Sequence, residues 1–462
     1  MALSRRELLA RSGAAGAGIT LAGAVDTLFT AFTAFTANPQ AGRRGPASGY
    51  GPLVPDPRGL LDLPSGFRYR VLSREGERLK SGGGVVPSRF DGQAAFPGRR
   101  ESLYLVRNHE ARADAPHPVR GPRSHTYDPL GPGGTTTLRL DTSGRLVEEY
   151  VSLAGTFVNC AGGTTPWGTW LSCEEIEESP VDSSVPHGWI FEVDPRDNRR
   201  NADPTPLEAM GRFQHEALAV DPATGVVYET EDAFDFPFGL FYRFLPDRPL
   251  GGHGSLRAGG VLEAMRVPGV PDLSPVQEVG TTFRGLEWVR VPDPLATATP
   301  TRLQDYGPRG VTHAQKLEGA WWGDGAAYFV ASFARGGDGS RADHDGQVWR
   351  HDPVAGTLEL VVVFRFDPAD QVFEAPDNIT VSPFGGLMIA EDGGGQQHLV
   401  GTTSGGEAFP FARNRQNIGT PQQPEFGEFA GVTFSGDGET LFVNCYNPGT
   451  TFAVTGPWRR QR

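Results

Sequence analysis

Residues 215–232 read HEALAVDPATGVVYETED, and this stretch decides the fold class. Two short runs of apolar and small residues, 217–220 and 226–228, flank the turn sequence DPATG. Aspartate, proline and glycine at such a turn favour the tight backbone conformations of a β-hairpin. The stretch therefore predicts two antiparallel strands, entered at the polar residue Glu216 and left at the acidic residues of positions 231–232.

Five other stretches repeat this pattern of polar entry, short strand, tight turn, second strand and polar exit. They are 91–110, 158–175, 317–332, 376–392 and 427–445. The six units are spaced by roughly 50 to 70 residues, apart from one wider gap, and such a repeat is typical of β-propeller blades. The gap, 233–317, reads as an insertion. We predict an all-β chain that forms a six-bladed β-propeller with loop insertions; a β-sandwich with similar hairpins is the alternative.

The composition supports a folded protein with many turns. The chain has 462 residues, among them 62 Gly and 39 Pro, and 38% of the residues are hydrophobic, which is too many for a disordered chain. A formal charge of −13 argues against a nucleic-acid partner, because the phosphate backbone requires a basic surface. No zinc motif, P-loop or GxSxG sequence is present.

Residues 1–40 have the layout of an export signal. Arg5 and Arg6 precede a weakly apolar stretch rich in Ala, Gly and Thr, which is typical of a twin-arginine signal. The twin-arginine export machinery is therefore an expected partner, and the expected location is the periplasm or the extracellular space. Asp26 in this stretch argues against a permanent membrane span. We predict that 41–56 form a linker and that 57–462 form a single propeller domain, present as a monomer.

Polar residues at the strand entries predict a cation site. The first strand of each propeller blade lines the central channel, so its entry residue should face the axis. Converging carboxylates repel one another unless cations neutralise them, and oxygen ligands favour hard cations such as Ca²⁺. The entry residues are Asp91, Asn159, Glu216, Glu318, Asp377 and Glu428. The exit residues include Glu110, Glu175, Asp232 and Asp392.

Cys173, in the stretch WLSCEE at 170–175, has two interpretations. It could pack as a small buried apolar side chain at a strand end, an interpretation that also suits Cys160 and Cys445. Alternatively, cations near the two glutamates that follow it would lower its thiol pKa, and the thiolate would bind iron or another transition metal. Alternation along a strand lets Glu175, and not the preceding glutamate, share the face of Cys173.

Several motifs resemble the PhoX-type alkaline phosphatase family. They are RNHE at 107–110, YDPLGPGGTTTL at 127–138, WGTWLSCEE at 167–175, HEALAVDPATGVVYETED at 215–232, PDNITVSPFGGLMIAED at 376–392 and GVTFSGDGETLFVN at 431–444. The resemblance implies twin-arginine export, a six-bladed propeller, hydrolysis of small phosphomonoesters, and a cluster of Fe³⁺ and Ca²⁺ ions at the mouth of the channel.

Carried over by motif, the resemblance also implies roles for individual residues. Cys173 would be the thiolate ligand of iron, and Asn159 would lie near the substrate phosphate. Arg107 could make a bidentate contact with that phosphate. Combined with the entry and exit residues, the predicted metal ligands are Cys173, Glu175, Glu216, Glu318, Asp377, Glu391 and Glu428.

Two other functions remain open at this stage. A calcium-dependent lactonase would use axial Glu, Asn and Asp ligands on the same fold, would bind no iron, and would be indifferent to the loss of Cys173. A non-catalytic propeller would use calcium only to stabilise a binding scaffold. The fold alone does not choose among these functions.

Overall fold

Short apolar strands separated by tight turns form six antiparallel sheets in this computed structural model, which describes residues 49–177, 179–180, 183–333, 345–365 and 372–460. The first strand of each sheet packs against the first strand of the next, and the sixth packs against the first. The prediction of an all-β, six-bladed propeller is therefore confirmed. The export signal predicted at 1–40 lies outside the described residues.

Each blade is counted from its inner strand outwards, and the blades follow one another along the chain. Blade 1 contains Phe90–Pro97, Leu103–His109, Gly133–Leu140 and Leu146–Thr156. Blade 2 contains Asn159–Thr164, Trp170–Glu174 and Ile190–Val193. Blade 3 contains His215–Val220, Val227–Glu231, Gly239–Pro246, Gly260–Arg266 and Glu287–Arg290, with His313–Ala314 paired beside its third strand.

The other three blades include strands from distant parts of the chain. Blade 4 contains Leu317–Gly323, Ala326–Ser332, Gly346–Asp352, Thr357–Phe364 and Thr282–Arg284. Blade 5 contains Pro376–Val381, Leu387–Glu391, His398–Thr402, Ala408–Asn414, Leu61–Pro64 and Leu53–Val54. Blade 6 contains Phe429–Phe434, Thr440–Cys445, Thr450–Thr455 and Arg68–Arg74.

Helical structure in the described residues is limited to six short 3₁₀ segments. They are Arg99–Glu101, Arg123–His125, Asn198–Asn201, Glu208–Met210, Ser255–Ala258 and Thr301–Leu303. No helix in this part of the chain has the length and apolar content needed to cross a membrane.

Two regions carry more sheet structure than their sequence indicates. Leu53–Val54, inside the segment 41–56 predicted as a linker, pairs with Leu61–Pro64 of blade 5. The gap 233–317 supplies the outer strands of blade 3 and one strand of blade 4, in addition to loops. These strands lack the repeated hairpin motif, and one of them, Thr282–Arg284, pairs with the distant strand Thr357–Phe364.

The apolar core lies between successive blades. Leu171 and Ile190 of blade 2 pack in one buried cluster with Leu218 of blade 3. Between blades 3 and 4, the rings of Phe241 and Phe329 stack with their centroids 4.1 Å apart. The ring of blades is therefore held together by the burial of apolar surface between neighbouring sheets.

Every inner strand carries a β-bulge, which begins at the second residue of the strand in blades 1 to 5 and at the third residue in blade 6. At this point two residues of the inner strand lie opposite one residue of the second strand, an arrangement that redirects side chains. The paired residues of the bulges are Asp91–Gly92, Cys160–Ala161, Glu216–Ala217, Glu318–Gly319, Asp377–Asn378 and Gly431–Val432. Four of these bulges therefore begin with a carboxylate, one begins with a thiol, and one begins with glycine.

Small residues at the bulges allow the inner strands to approach one another closely. A Cβ atom on Gly319 would lie 2.6 Å from the carbonyl oxygen of Asp377, and one on Gly92 would lie 2.5 Å from the Cα atom of Ala161. The inner strands enclose a cavity of about 20 Å³, which has room for about one water molecule. The axis is therefore packed by backbone and small side chains.

We expect Gly319→Ala to destabilise the propeller, because its methyl group would collide with the backbone of the neighbouring inner strand. Overpacking of this kind lowers the free energy of unfolding by roughly 1–3 kcal/mol, measurable as a lower Tm in a thermal shift assay. Gly436→Ala is the matched control, because a Cβ atom there meets nothing within 4 Å. Equal Tm values for the two variants would contradict the close packing of the axis.

Candidate metal centre

The bulges bring carboxylates and one thiol from five blades together. Seven residues form three overlapping groups, and within each group one ligand atom per residue lies within 4.8 Å of the others. The groups are Cys160–Glu175–Glu216 (group one), Glu216–Glu318–Asp377 (group two) and Asp377–Asp392–Glu428 (group three). Glu216 and Asp377 each belong to two groups, so the seven residues form one continuous row of ligands, here called the acidic centre.

The acidic centre is buried at one end and borders solvent at the other. The five residues of groups one and two are no more than 5% exposed. Asp392 and Glu428 of group three are partly exposed. A small molecule in solution therefore meets group three first, and groups one and two lie deeper in the protein.

The donor set of the acidic centre fits metal ions. Both carboxylate oxygens of Glu318 are buried and accept no hydrogen bond from the described residues, although one contacts the ammonium of Lys316. Group two sets three buried carboxylates against this one ammonium, and buried carboxylates are unfavourable unless cations compensate them. Groups two and three offer only carboxylate oxygens, the ligands that Ca²⁺ prefers, whereas group one adds a sulfur that favours a transition metal.

Cys160 provides the one thiol of the acidic centre, and the sequence interpretation did not select it as a candidate ligand. Its Sγ lies 3.2 Å from the carbonyl oxygen of His215 and 3.4 Å from that of Glu216. Burial, reinforced by the negative charges of Glu216 and Glu175, raises the pKa of the Cys160 thiol well above its ordinary value. A cation bound in group one would reverse this effect, because it stabilises the thiolate.

Cys173, the predicted iron ligand, lies outside the three groups. It is fully buried in the apolar cluster between blades 2 and 3, where it packs near Leu171 and Ile190. In the pairing of the two strands, Cys173 lies opposite the bulge that contains Cys160. The bulge gives Cys160 the position that Glu216 holds in the next blade, so the thiol that lies among the acidic residues is that of Cys160 and not that of Cys173.

Glu174, which precedes Glu175, anchors the backbone of its own blade. Its Oε2 accepts hydrogen bonds from the N–H groups of Gly188 and Trp189, and its Oε1 accepts one from Phe157. Glu174 therefore uses its carboxylate to hold the backbone of the blade, whereas the carboxylate of Glu175 lies in the acidic centre. This agrees with the prediction that favoured Glu175 over its neighbour.

The same division of roles explains Glu391, which was predicted to be a metal ligand. Its Oε2 accepts a hydrogen bond from the N–H of His398, just as Glu231 of blade 3 accepts one from the N–H of Leu240. Both donors lie at the start of the third strand of a blade. Glu391 is outside the three groups, and the next residue, Asp392, belongs to group three instead.

The two residues predicted to contact substrate are engaged within the fold. Asn159 is fully buried, accepts a hydrogen bond from Thr156 and donates one to Ser172 at 3.0 Å. Its side chain therefore supports the backbone next to the bulge of blade 2.

Arg107 is also fully buried, so a phosphate contact from solvent is not available to it. Its guanidinium donates to Glu149 and Thr136 of blade 1 and to Thr451 of blade 6. Burial lowers the pKa of Arg107 to about 10, although the charge of Glu149 opposes the shift. Arg107 thus joins the first blade to the last.

The comparisons with known proteins agree with the propeller fold. The sequence model of the alkaline phosphatase PhoX family matches residues 48–148 and 130–449. The fold is similar to Pseudomonas fluorescens PhoX in complex with vanadate, a transition-state analogue, with a TM-score of 0.62 and 18% identity over 88% of this chain and 98% of that chain.

Two other structures give weaker matches. One is the gluconolactonase XC5397 from Xanthomonas campestris, with a TM-score of 0.42 and 14% identity over 88% of this chain and 98% of that chain. The other is the PQQ domain of pyranose dehydrogenase from Coprinopsis cinerea, with a TM-score of 0.44 and 13% identity over 87% of this chain and 98% of that chain. No curated protein matches the chain by sequence.

We expect His187→Gln to lower stability in a pH-dependent way. The two nitrogens of His187 lie 2.7 Å from Glu174 and 3.3 Å from Asp128. Burial alone lowers the pKa of His187, but hydrogen bonds and charges from Glu174 and Asp128 outweigh it, and the net pKa is raised. A raised pKa means that protonation of His187 stabilises the fold fully below pH ~6.5, and that this contribution is lost as the pH rises through the higher native value.

The measurement is the Tm of the wild type and of His187→Gln from pH 5 to pH 9. The difference in Tm should be largest at the acidic end, where the hydrogen bond contributes about 1–3 kcal/mol to the free energy of unfolding as a buried charge-assisted bond. The difference should shrink towards the alkaline end. A difference that stays constant over this range would contradict the assignment of a protonated His187.

Proposed function

Because the chain belongs to the alkaline phosphatase PhoX family, we propose that it is a metal-dependent phosphomonoester hydrolase whose active site is the acidic centre. The observation that carries the proposal is the convergence of seven potential ligands from five blades into three overlapping groups. Such a density of buried carboxylates is unfavourable in a protein that binds no cations there.

The chemistry of the donors supports a particular distribution of metals. Group one, which contains the Cys160 thiol, would hold iron, because a thiolate ligand favours a transition metal. Groups two and three, which contain only carboxylates, would hold calcium. Glu216 and Asp377 would each contact two neighbouring ions and would keep the ions close together.

The protein around the acidic centre would orient the substrate and exclude water. A phosphomonoester dianion is repelled by a protein with a formal charge of −13, so it needs local positive charge. Bound cations would supply that charge, bind phosphate oxygens, stabilise the charge of the transferring phosphoryl group and activate water for the attack. Asp392 and Glu428 border solvent, so they would hold the ion that the substrate reaches first. The buried residues of groups one and two would shield the reacting phosphorus from bulk water.

The test of this function is hydrolysis of p-nitrophenyl phosphate together with elemental analysis of two matched variants. Cys160→Ala removes the thiol of group one, whereas Cys173→Ala removes an equally buried thiol outside the acidic centre. We expect Cys160→Ala to lose iron and to lose activity by more than about tenfold, since even residues that only support metal ligands contribute that much. Cys173→Ala should keep its metals and its activity apart from a modest loss of stability.

The alternative outcomes separate the other candidate functions. Calcium without iron, together with lactone hydrolysis and no turnover of the phosphoester, would support a lactonase. Calcium without any turnover would support a binding scaffold. Loss of iron in Cys173→Ala but not in Cys160→Ala would refute the ligand assignment.

Export by the twin-arginine route is part of the same proposal. Replacing Arg5 and Arg6 together by lysine should keep the enzyme in the cytoplasm, because the export machinery reads the arginine pair. The chain offers a matched control in Arg43 and Arg44, a second arginine pair that lies in the predicted linker. Cell fractionation measures the result, and normal export of the first variant would contradict the proposed signal.

A further inference from the structure

Lys316 is an unusual residue in this chain. Of the 42 lysine and arginine residues, only Lys80 and Lys316 are lysines. Lys80 is exposed, whereas Lys316 is 1% exposed. Lysine is almost never fully buried without a partner, and its compact ammonium differs from the planar guanidinium that this chain uses elsewhere. The use of lysine at a buried position therefore calls for a local explanation.

The ammonium of Lys316 lies at the edge of the acidic centre. It contacts Oε1 of Glu318, a member of group two. The other members of group two, Glu216 and Asp377, each have a carboxylate oxygen within 4.8 Å of an oxygen of Glu318. An ammonium group is thus placed beside a row of ligands that otherwise consists of acidic residues and one thiol.

Aromatic rings and backbone hydrogen bonds hold Lys316 in this position. Its Nζ lies 5.3 Å from the ring centroids of both Phe234 and Phe333, within the range of cation–π attraction. The N–H of Lys316 donates to the carbonyl oxygen of Ala233, and its own carbonyl accepts from the N–H of Ser332. The backbone φ of +43° lies in the left-handed region, which is unfavourable for lysine, so the surroundings must enforce it.

We propose that Lys316 is a fixed counter-charge that adapts group two to a divalent cation. The ammonium of Lys316 contacts Glu318 and offsets one negative charge of group two. Its repulsion of a bound ion grows with the charge of that ion, so it disfavours a trivalent cation more than a divalent one. Lys316 thereby directs Ca²⁺ to group two and disfavours Fe³⁺ there. This inference rests on the proposed binding of cations to the acidic centre, but it does not depend on phosphatase activity.

The charge dependence of the effect gives a quantitative test. The repulsion between Lys316 and a bound ion scales with the charge of the ion, so removing the ammonium should favour a trivalent ion more than a divalent one. The increase in the logarithm of the affinity should therefore be one and a half times as large for a trivalent ion as for a divalent ion. A tenfold gain for Ca²⁺ would therefore accompany a gain of about thirtyfold for a trivalent ion.

The experiment measures the affinities of the metal-stripped full-length protein for Ca²⁺ and for Tb³⁺, a luminescent trivalent ion that also prefers oxygen ligands. Lys316→Met retains the length and apolar stem of the side chain without its charge, and Lys80→Met is the matched control. We expect both affinities to rise in Lys316→Met, by at least about tenfold for Ca²⁺ and by more for Tb³⁺. Lys80→Met should leave both affinities unchanged.

Unchanged or weaker cation binding by Lys316→Met would overturn the proposal. In particular, normal binding of both ions together with weaker inhibition by inorganic phosphate would make Lys316 a phosphate contact instead. If Lys316→Met is unfolded after metal removal, the Tb³⁺ concentration that restores the native Tm measures the same affinity, and failure of saturating Tb³⁺ to restore it would count against the proposal. The binding assay contains no phosphoester, so it stays informative if the protein proves not to be a phosphatase.

Discussion

The close approach of six inner strands around one axis is the constraint on which the rest of this structure depends. The strands leave no room for a side chain at Gly92 or Gly319, and each strand carries a bulge at this level. A bulge adds one residue to its strand and redirects the neighbouring side chains. The same packing that closes the ring therefore gathers the first residues of four bulges, Cys160, Glu216, Glu318 and Asp377, into the acidic centre.

This convergence creates an electrostatic problem that the fold resolves in several ways. At the exits of the second strands, one acid of a pair accepts backbone hydrogen bonds, as Glu174 and Glu391 do, and its buried oxygens thereby gain partners. The second acid of the pair, Glu175 or Asp392, joins the acidic centre. The negative charge that remains is met by the ammonium of Lys316 and, in the proposed function, by metal ions. Structural acids and ligand acids are thus neighbours in sequence and differ in role.

The fold was predictable from the sequence because hairpin turns are local signals. The stretch at 215–232 and its five counterparts contain both the strands and the turn chemistry that joins them. The outer strands of blade 3 were not predictable in this way, because they lack the repeated hairpin motif, and a strand of blade 4, Thr282–Arg284, lies between two of them along the chain. The position of Arg107 was not predictable for a similar reason. Arg107 donates a hydrogen bond to Thr451 of the last blade, and no local sequence pattern indicates that contact.

Most of the candidate site was predictable, and the bulges and the pairs of acidic residues explain the two differences. Five of the seven predicted ligands, Glu175, Glu216, Glu318, Asp377 and Glu428, lie in the acidic centre. The other two, Cys173 and Glu391, are replaced by Cys160 and Asp392. A signal for Cys160 was present in the sequence, because it precedes Ala161 as Glu216 precedes Ala217 and as Glu318 precedes a glycine. Asn159, the predicted entry residue of blade 2, directly precedes Cys160 and is therefore one position too early.

The burial of group one also bears on the order of events during maturation. Cys160 and Glu216 are each 1% exposed, and the axis beside them encloses a cavity of only about 20 Å³. A hydrated metal ion would need the inner strands to separate before it could reach the thiol through the axis. Moreover, the raised pKa of Cys160 keeps its thiol protonated until a cation arrives. Binding of iron during folding would avoid both obstacles. A twin-arginine signal, which exports folded proteins, would therefore suit the proposed iron site, because the protein would fold around its metal before export.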